Sequence, residues 1–392
     1  MIFPDPVNTF SHFVTAAHCI KIPSQKNNLM RSNFIPALVL VATLITTVSC
    51  NKDEDNSPSV KPYTVPTTYS FSNANFTASS NRNKMADELS TYLRIAQTGS
   101  AVTALDAAKI NNMWANTGNP FTNTSLNTSG TNIKDFTSNA TLIKAYIDSI
   151  SINNKATAAT QGTGGYITRG ANKIIVGGNG LEYLQGYVKG IMSNQFFKES
   201  VRLLTEVKTV SATDTTKAQA LWDEAFGNLS VPYNYDSSVT YASADLNKPL
   251  MWGGYLGERG KPIQAGGTIF NAFLKGRAAI GGYDVTVRNE QADIIIAKWE
   301  QLAARAALVY ANMPTLSANV GNLGSQFHAL SEGFGFIMAL EFRPANSKLS
   351  AANFATLKSI FSKDFYALIG QAGFTDLVTA QTILKTTYNI EP

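Results

Sequence analysis

The sequence predicts an all-α fold of helical bundles, interrupted by one small glycine-rich insertion that forms a loop or a hairpin. Three observations carry this. Apolar residues recur at helical spacing in successive segments from Lys84 to Thr387. Alternating apolar and polar residues, the mark of a half-buried strand, are almost absent outside residues 161–180. The chain is 44% apolar with 10% aromatics, enough for a sizeable core. No repeat of short period appears.

Taken in order, Lys84–Gln97 reads as a helix, with Met85, Leu89, Tyr92, Leu93 and Ala96 in phase and Gly99 stopping the pattern. Val102–Trp114 continues helically to Gly118-Asn119-Pro120, and a Ser/Thr/Asn-rich loop covers Phe121–Thr131. Lys134–Ser151 is a third helix, with Phe136, Leu142, Ile143, Tyr146 and Ile150 on its apolar side. Glycines then crowd the chain at 162, 164, 165, 170, 177, 178 and 180 around two short apolar runs. A glycine-rich loop can cradle phosphate, but neither a Walker lysine nor a strand–GxGxxG–helix setting is present.

Leu181–Val207 reads as one long helix, with Glu182, Gln185 and Lys189 as polar positions in its first turns. Ala212-Thr213-Asp214 supplies a start signal for Thr216–Leu229. Val231–Lys261 reads as loop, broken by Pro232, Pro249 and the glycines of Trp252-Gly253-Gly254-Tyr255. Ile269–Ile280 and Val285–Tyr310 are helices; the second has Ile295, Trp299, Leu302, Ala306 and Val309 in one core-facing stripe. A helix from Gly324 to Phe342 ends before Pro344, and Ala351–Gln371 and Thr375–Thr387 complete the chain.

The first 68 residues read as an address. Residues 1–29 differ in texture from the rest of the chain, and Met30-Arg31-Ser32-Asn33 precedes an apolar run, Ile35–Val48. That run is too short to span a bilayer and suits the apolar core of a secretion signal. Thr47-Val48-Ser49-Cys50 then resembles a bacterial lipoprotein cleavage site, with Thr where Leu is usual. The economical account makes 1–29 a mis-assigned upstream extension, 30–49 a signal peptide, and Cys50 a lipidated first residue; the alternative is a retained anchor. Several acyl chains on one cysteine would hold the protein at a membrane. Residues 50–68 form a tether, with the acidic Asp53-Glu54-Asp55 near its start and prolines after it. The expected location is the outer membrane, facing the medium or otherwise the periplasm.

Removal of 1–49 takes away His12, His18 and Cys19, so His328 is the only histidine left and Cys50 the only cysteine. Disulfides, Cys/His metal spacing and a catalytic cysteine are thereby excluded from the remaining chain. The formal charge of +5 comes from scattered lysines and arginines with no basic run, which argues against a nucleic-acid partner.

The candidate site is His328 with Glu332, four residues apart in Gly324-Ser325-Gln326-Phe327-His328-Ala329-Leu330-Ser331-Glu332. On a helix they lie about 40° apart on one face, so both could reach one metal ion, or the carboxylate could orient the imidazole. Further ligands would have to come from other helices: Asp223 or Glu224 first, then Glu182 or Glu199. Adjacent Asp223 and Glu224 point about 100° apart, so at most one can face a given ion. An oxygen-rich set with one nitrogen suits iron, manganese or calcium. The alternative reading makes His328 a hydrogen-bonded packing residue. Ser331 has no second histidine and no GxSxG setting for nucleophilic chemistry.

Phe327–Phe336, Trp222-Asp223-Glu224-Ala225-Phe226-Gly227 and Asn179-Gly180-Leu181-Glu182 resemble a family of uncharacterised Bacteroidetes lipoproteins that is similar to the imelysin-like proteins. The resemblance runs from Tyr69 to the C-terminus. It implies two helical-bundle halves, here meeting at about residues 210–265, and a place in iron uptake beside outer-membrane uptake proteins. Some imelysin-like proteins were named peptidases from a GxHxxE motif. This chain departs from it, with Gln326 in place of Gly and Glu332 four rather than three residues after His328. Three functions are therefore expected to compete: capture of iron or an iron-bearing ligand, metal-dependent peptide cleavage, and a metal-free module that offers Gly162–Gly180 and Trp252–Gly260 to a protein or glycan.

Overall fold

Polar residues open the first helix. In the computed structural model, which describes residues 58–101, 103–152 and 157–392, α1 (Thr77–Arg94) starts seven residues before Lys84. Its first two turns bury Ser79, Arg82 and Asn83 rather than apolar side chains, so hydrophobic periodicity becomes visible only at Met85. Asn83 donates to the Gly227 carbonyl at 3.1 Å, and Arg82 pairs with Glu224. The stretch read as a signal peptide, Cys50 and the acidic cluster lie outside the described residues.

α2 (Ala107–Ala115) begins where the Asp106 side chain accepts from the amides of Ala108 and Lys109. A short α3 (Thr124–Asn127) lies in the Ser/Thr/Asn-rich loop, and α4 (Ala140–Ile152) follows. Two residues assigned to the apolar side of this region are instead exposed: Phe136 at 48% and Leu142 at 46%. Phe136 lies in a 3₁₀ turn before α4, and its ring covers the Arg82 guanidinium at 4.1 Å.

The glycine-rich insertion is a hairpin of β1 (Gly165–Arg169) and β2 (Asn172–Val176), antiparallel with Gly165 opposite Val176. The expected long helix 181–207 is three pieces: α5 (Tyr183–Ile191), a six-residue π turn (Met192–Phe197) and α6 (Lys198–Val207). Every residue of the π turn is buried. The wider turn frees carbonyls for tertiary bonds. Met192 accepts from the Trp252 indole at 2.7 Å, and Asn194 accepts from the Ser138 amide at 3.0 Å.

α7 (Thr215–Leu229) is capped by Asp214, as its sequence signal indicates. α8 (Met251–Glu258) is a helix inside the stretch read as loop. Its glycines hide its periodicity, and burial of Trp252, Tyr255 and Leu256 holds it helical. Trp252–Gly260 is therefore largely helix with its aromatic side chains in the core rather than a displayed loop, and only Gly254, Gly257 and Glu258 of it are exposed. α9 (Ala265–Gly281), α10 (Val285–Asn312) and α11 (Leu323–Ala339) follow. The expected 351–371 helix is α12 (Ala351–Phe361) and α13 (Phe365–Gly370), divided where the Asp364 side chain caps the second. α14 (Thr375–Tyr388) ends the chain.

Among the described residues the fold is all-α apart from the hairpin. α10 packs against α9, α11 and α14; α5 packs against α4 and α11, and α7 against α1, α6 and α9. The described residues from 58 to 392 form one compact unit. Helices from before and after 210–265 lie directly on one another, as α5 on α11 and α6 on α10 show. Trp222, Trp252 and Trp299 are fully buried, and Trp252 meets Trp299 and Phe336 edge to face. No described helix is long and apolar enough to cross a membrane.

Candidate functional site

Asn322 starts α11 by accepting from the Ser325 amide at 3.0 Å. That phase places His328 and Glu332 one turn apart on the face toward α5. Glu182, at the N-cap of α5, is brought to the same place by the turn after β2. Gly180 in this turn has φ +86°, and a Cβ there would lie 2.9 Å from both Phe327 and Phe365. The Glu182 amide donates to the Ser331 hydroxyl at 2.8 Å, and Ser331 donates to the Phe327 carbonyl at 2.6 Å. Ser331 thus ties the two helices together beneath the histidine. Four of the quoted motif residues, Gly180, Glu182, Phe327 and Ser331, serve this one junction.

The His328 ring sits between two carboxylates. Nδ1 is 2.7 Å from Glu182 Oε2, and Nε2 is 3.2 Å from Glu332 Oε1. The histidine side chain is 13% exposed, while Glu182 and Glu332 are 1% and 8% exposed, so only the ring edge meets solvent. Lys189, seven residues after Glu182 on α5, lies 3.8 Å from Glu332 Oε2. Tyr255 donates to that same oxygen at 2.7 Å, with Tyr310 3.1 Å beyond it and Arg259 donating to Tyr310 at 3.1 Å. The Lys189 ammonium also lies 4.7 Å from the Tyr255 ring centre.

These contacts set the charges. Burial alone would lower the His328 pKa, but the hydrogen bonds and charges of Glu182 and Glu332 outweigh it and raise the value to about 9. Burial would raise the Glu332 pKa, yet the Lys189 and His328 charges hold it well below the usual carboxylate range. Burial and the Glu332 charge push the Tyr255 and Tyr310 hydroxyls up, so both remain donors. With the ring protonated, two carboxylates face one imidazolium and one ammonium, and the cluster is close to neutral.

Of the ligands named from sequence, Glu182, His328 and Glu332 come together. The other acidic residues are committed elsewhere, which corrects the expectation that Asp223 or Glu224 completes the set. Asp223 is buried and bonded to Arg277, Tyr69 and the Asn75 amide. Glu224 pairs with Arg82, and Glu199 pairs with Arg202 on its own helix at 2.5 Å. Among the described residues no group of three or more His, Cys, Asp or Glu side chains converges as metal ligands do. The reason is geometric: Glu182 and Glu332 occupy opposite nitrogens of one ring. Glu182 therefore fits the part of an outer carboxylate that fixes the tautomer, and the donors facing a common point are His328 Nε2 and Glu332 Oε1.

Sequence reasoning missed Lys189, Tyr255, Tyr310 and the bridging Ser331 as members of the cluster. The spacing of Glu182 and Lys189, two helical turns, was a usable signal. Tyr255 carried none, because its helix was hidden. The crossing of α5 and α11 is closest at Gly335, where a Cβ would collide with Lys189 Cβ. Gly335→Ala should lower the unfolding free energy by about 1–3 kcal/mol, as overpacking does elsewhere. Urea denaturation checks this, and an unchanged midpoint would show that the crossing has slack.

A family model described as "Domain of unknown function (DUF4856)" matches residues 66–390. No curated protein and no solved structure matches the chain.

Proposed function

The chain belongs to the DUF4856 family, whose description names no activity, and from that premise we propose that it is a cell-envelope binding protein that captures a metal-bearing ligand at His328 and Glu332. One observation carries this reading: Glu182 holds Nδ1 of a nearly buried histidine while Nε2 and a second carboxylate sit 3.2 Å apart. That is the outer-carboxylate, histidine, inner-carboxylate order of many metal centres. Two protein donors are too few to hold a bare ion tightly, so the remaining donors would come with the ligand. A nitrogen–oxygen pair suits iron.

The finer reading, iron uptake by a lipoprotein anchored through Cys50 at the outer membrane, rests on the imelysin resemblance and on the lipoprotein-like segment before Cys50. When bound, iron would supply the electrostatic hold on the ligand. The chain's own part is to keep the ring oriented through Glu182 and to steady Glu332 through Tyr255 and Lys189. Peptidase chemistry is the weaker reading, because both carboxylates near the histidine already share its protons and neither is left as a general base. The metal-free interaction reading keeps Gly162–Gly180, whose hairpin turn is exposed, and exchanges Trp252–Gly260 for residues 231–250, where Tyr233 is 54% and Leu246 97% exposed.

Binding at Nε2 must displace a proton held with a pKa of about 9. Titration of the purified protein with ferrous iron and with ferric citrate should therefore show affinity rising roughly tenfold per pH unit from 6 to 8. His328→Ala should abolish binding, and Glu182→Gln should weaken it about 10–100-fold. Binding that is absent in the wild type, independent of pH, or retained in His328→Ala would reject the proposal.

A further inference from the structure

Away from His328, a cavity of about 370 Å³ opens between α10, the 344–348 turn and the end of α14. Its wall includes Glu300, which is 3% exposed. One oxygen of this carboxylate, Oε1, accepts from the Ser347 hydroxyl and from the Tyr388 hydroxyl at 2.5 Å. The other oxygen receives no hydrogen bond and keeps a small opening to solvent, and no described cation pairs with Glu300. Arg343, whose charge reaches Tyr388, donates instead to the carbonyls of Leu340 and Leu349.

A clasp between a turn and a helix needs only a neutral acceptor for two hydroxyls. A carboxylate removed from water without a cation is costly, and in proteins such groups are normally paired. The missing partner is thus a cation that can enter the cavity. Two lysines line the same space: Lys298, tied to the Ile263 carbonyl and to Gln301, and the exposed Lys348, which has no pair among the described residues. The other carboxylate of the wall, Asp293, is exposed and paired with Lys208, so one buried negative group with lysines around it describes a receptor for a small dipolar solute. The volume lies at the small end of ligand pockets.

We propose that this cavity binds an amino-acid-sized zwitterion, its ammonium on Glu300 and its anionic end toward Lys348. The site is separate from the His328 cluster. It requires no metal.

The test is calorimetric titration of the purified protein with four probes of similar size: 4-aminobutyrate, n-butylamine, butyrate and putrescine. The expected order is 4-aminobutyrate tightest, n-butylamine weaker, and butyrate at least tenfold weaker than 4-aminobutyrate. Glu300→Gln keeps an acceptor for Ser347 and Tyr388 but should lose at least tenfold for both monoamine probes. Lys348→Met should remove the advantage of 4-aminobutyrate over n-butylamine. Ala297→Trp, which fills the cavity from its wall and leaves Glu300 in place, should abolish binding even if Glu300→Gln fails to fold. Iron titration should be unchanged in all three variants. Equal binding of butyrate and n-butylamine, or wild-type binding by Glu300→Gln or Ala297→Trp, would overturn the assignment, and tightest binding of putrescine would overturn the zwitterion in favour of a dication.

Discussion

Replacing Arg277 by Ala lowers the unfolding free energy by about 3–5 kcal/mol, the cost of leaving a buried carboxylate without its cation. Arg277 and Asp223 are each 2% exposed and meet at 2.7 Å. Asp223 also accepts from the Tyr69 hydroxyl at 2.7 Å and the Asn75 amide at 2.9 Å, and Arg277 donates to Asn73 at 2.9 Å. The pair therefore fastens residues 69–75 onto α7 and α9. Tyr69 is stacked on Phe226 at 3.6 Å, so loosening its hydroxyl disturbs a second contact. Urea unfolding measures the loss, and faster amide exchange over residues 69–76 should accompany it. The double variant Asp223→Leu/Arg277→Met should be less damaged than Arg277→Ala, because no unpaired charge remains. A loss under about 1 kcal/mol for Arg277→Ala would contradict the burial argument.

Raising the pH from 6.5 to above 9 should remove about 3 kcal/mol of stability through His328 alone, from a folded pKa of about 9 against an unfolded value near 6.5. The folded value is the higher one, so the folded state holds its proton more tightly. The stabilisation is complete below the unfolded pKa and disappears as pH rises through about 9. Glu332 acts in the opposite window: its folded value is depressed, so its contribution is present above the ordinary carboxylate range and is lost in acid. The two shifts share one ion pair and do not add in full. Denaturation midpoints at pH 6, 7, 8 and 9.5 test this, with His328→Gln as the reference. The variant should lose the alkaline slope; a wild-type curve parallel to that of His328→Gln would refute a protonated His328.

The helical class and most of the helices, including the one that holds 327–336, were legible in the residues alone. Periodic burial is a local property, and α10 and α11 display it in their own residues. The resemblance to an uncharacterised family agrees with the match over 66–390, while its lipoprotein character and its link to imelysins stay proposals. Capping, also local, was legible at Asp214.

Glu332 was legible beside His328 from their spacing, but which distant carboxylate reaches the ring was settled by packing alone. Glu182, Asp223 and Glu224 all looked available along the chain, but Arg277 and Arg82 claim two of them, and a glycine turn delivers the third. The same holds for α8, whose glycines give no periodic signal until Trp252 and Tyr255 find their partners, and for the π turn, whose freed carbonyls are worth forming only with Trp252 and Ser138 opposite. Helix formation answers to neighbours three and four residues away. Charge pairing inside a core answers to groups far along the chain, such as Glu182 and His328 at a separation of 146, and no pattern within one segment records it.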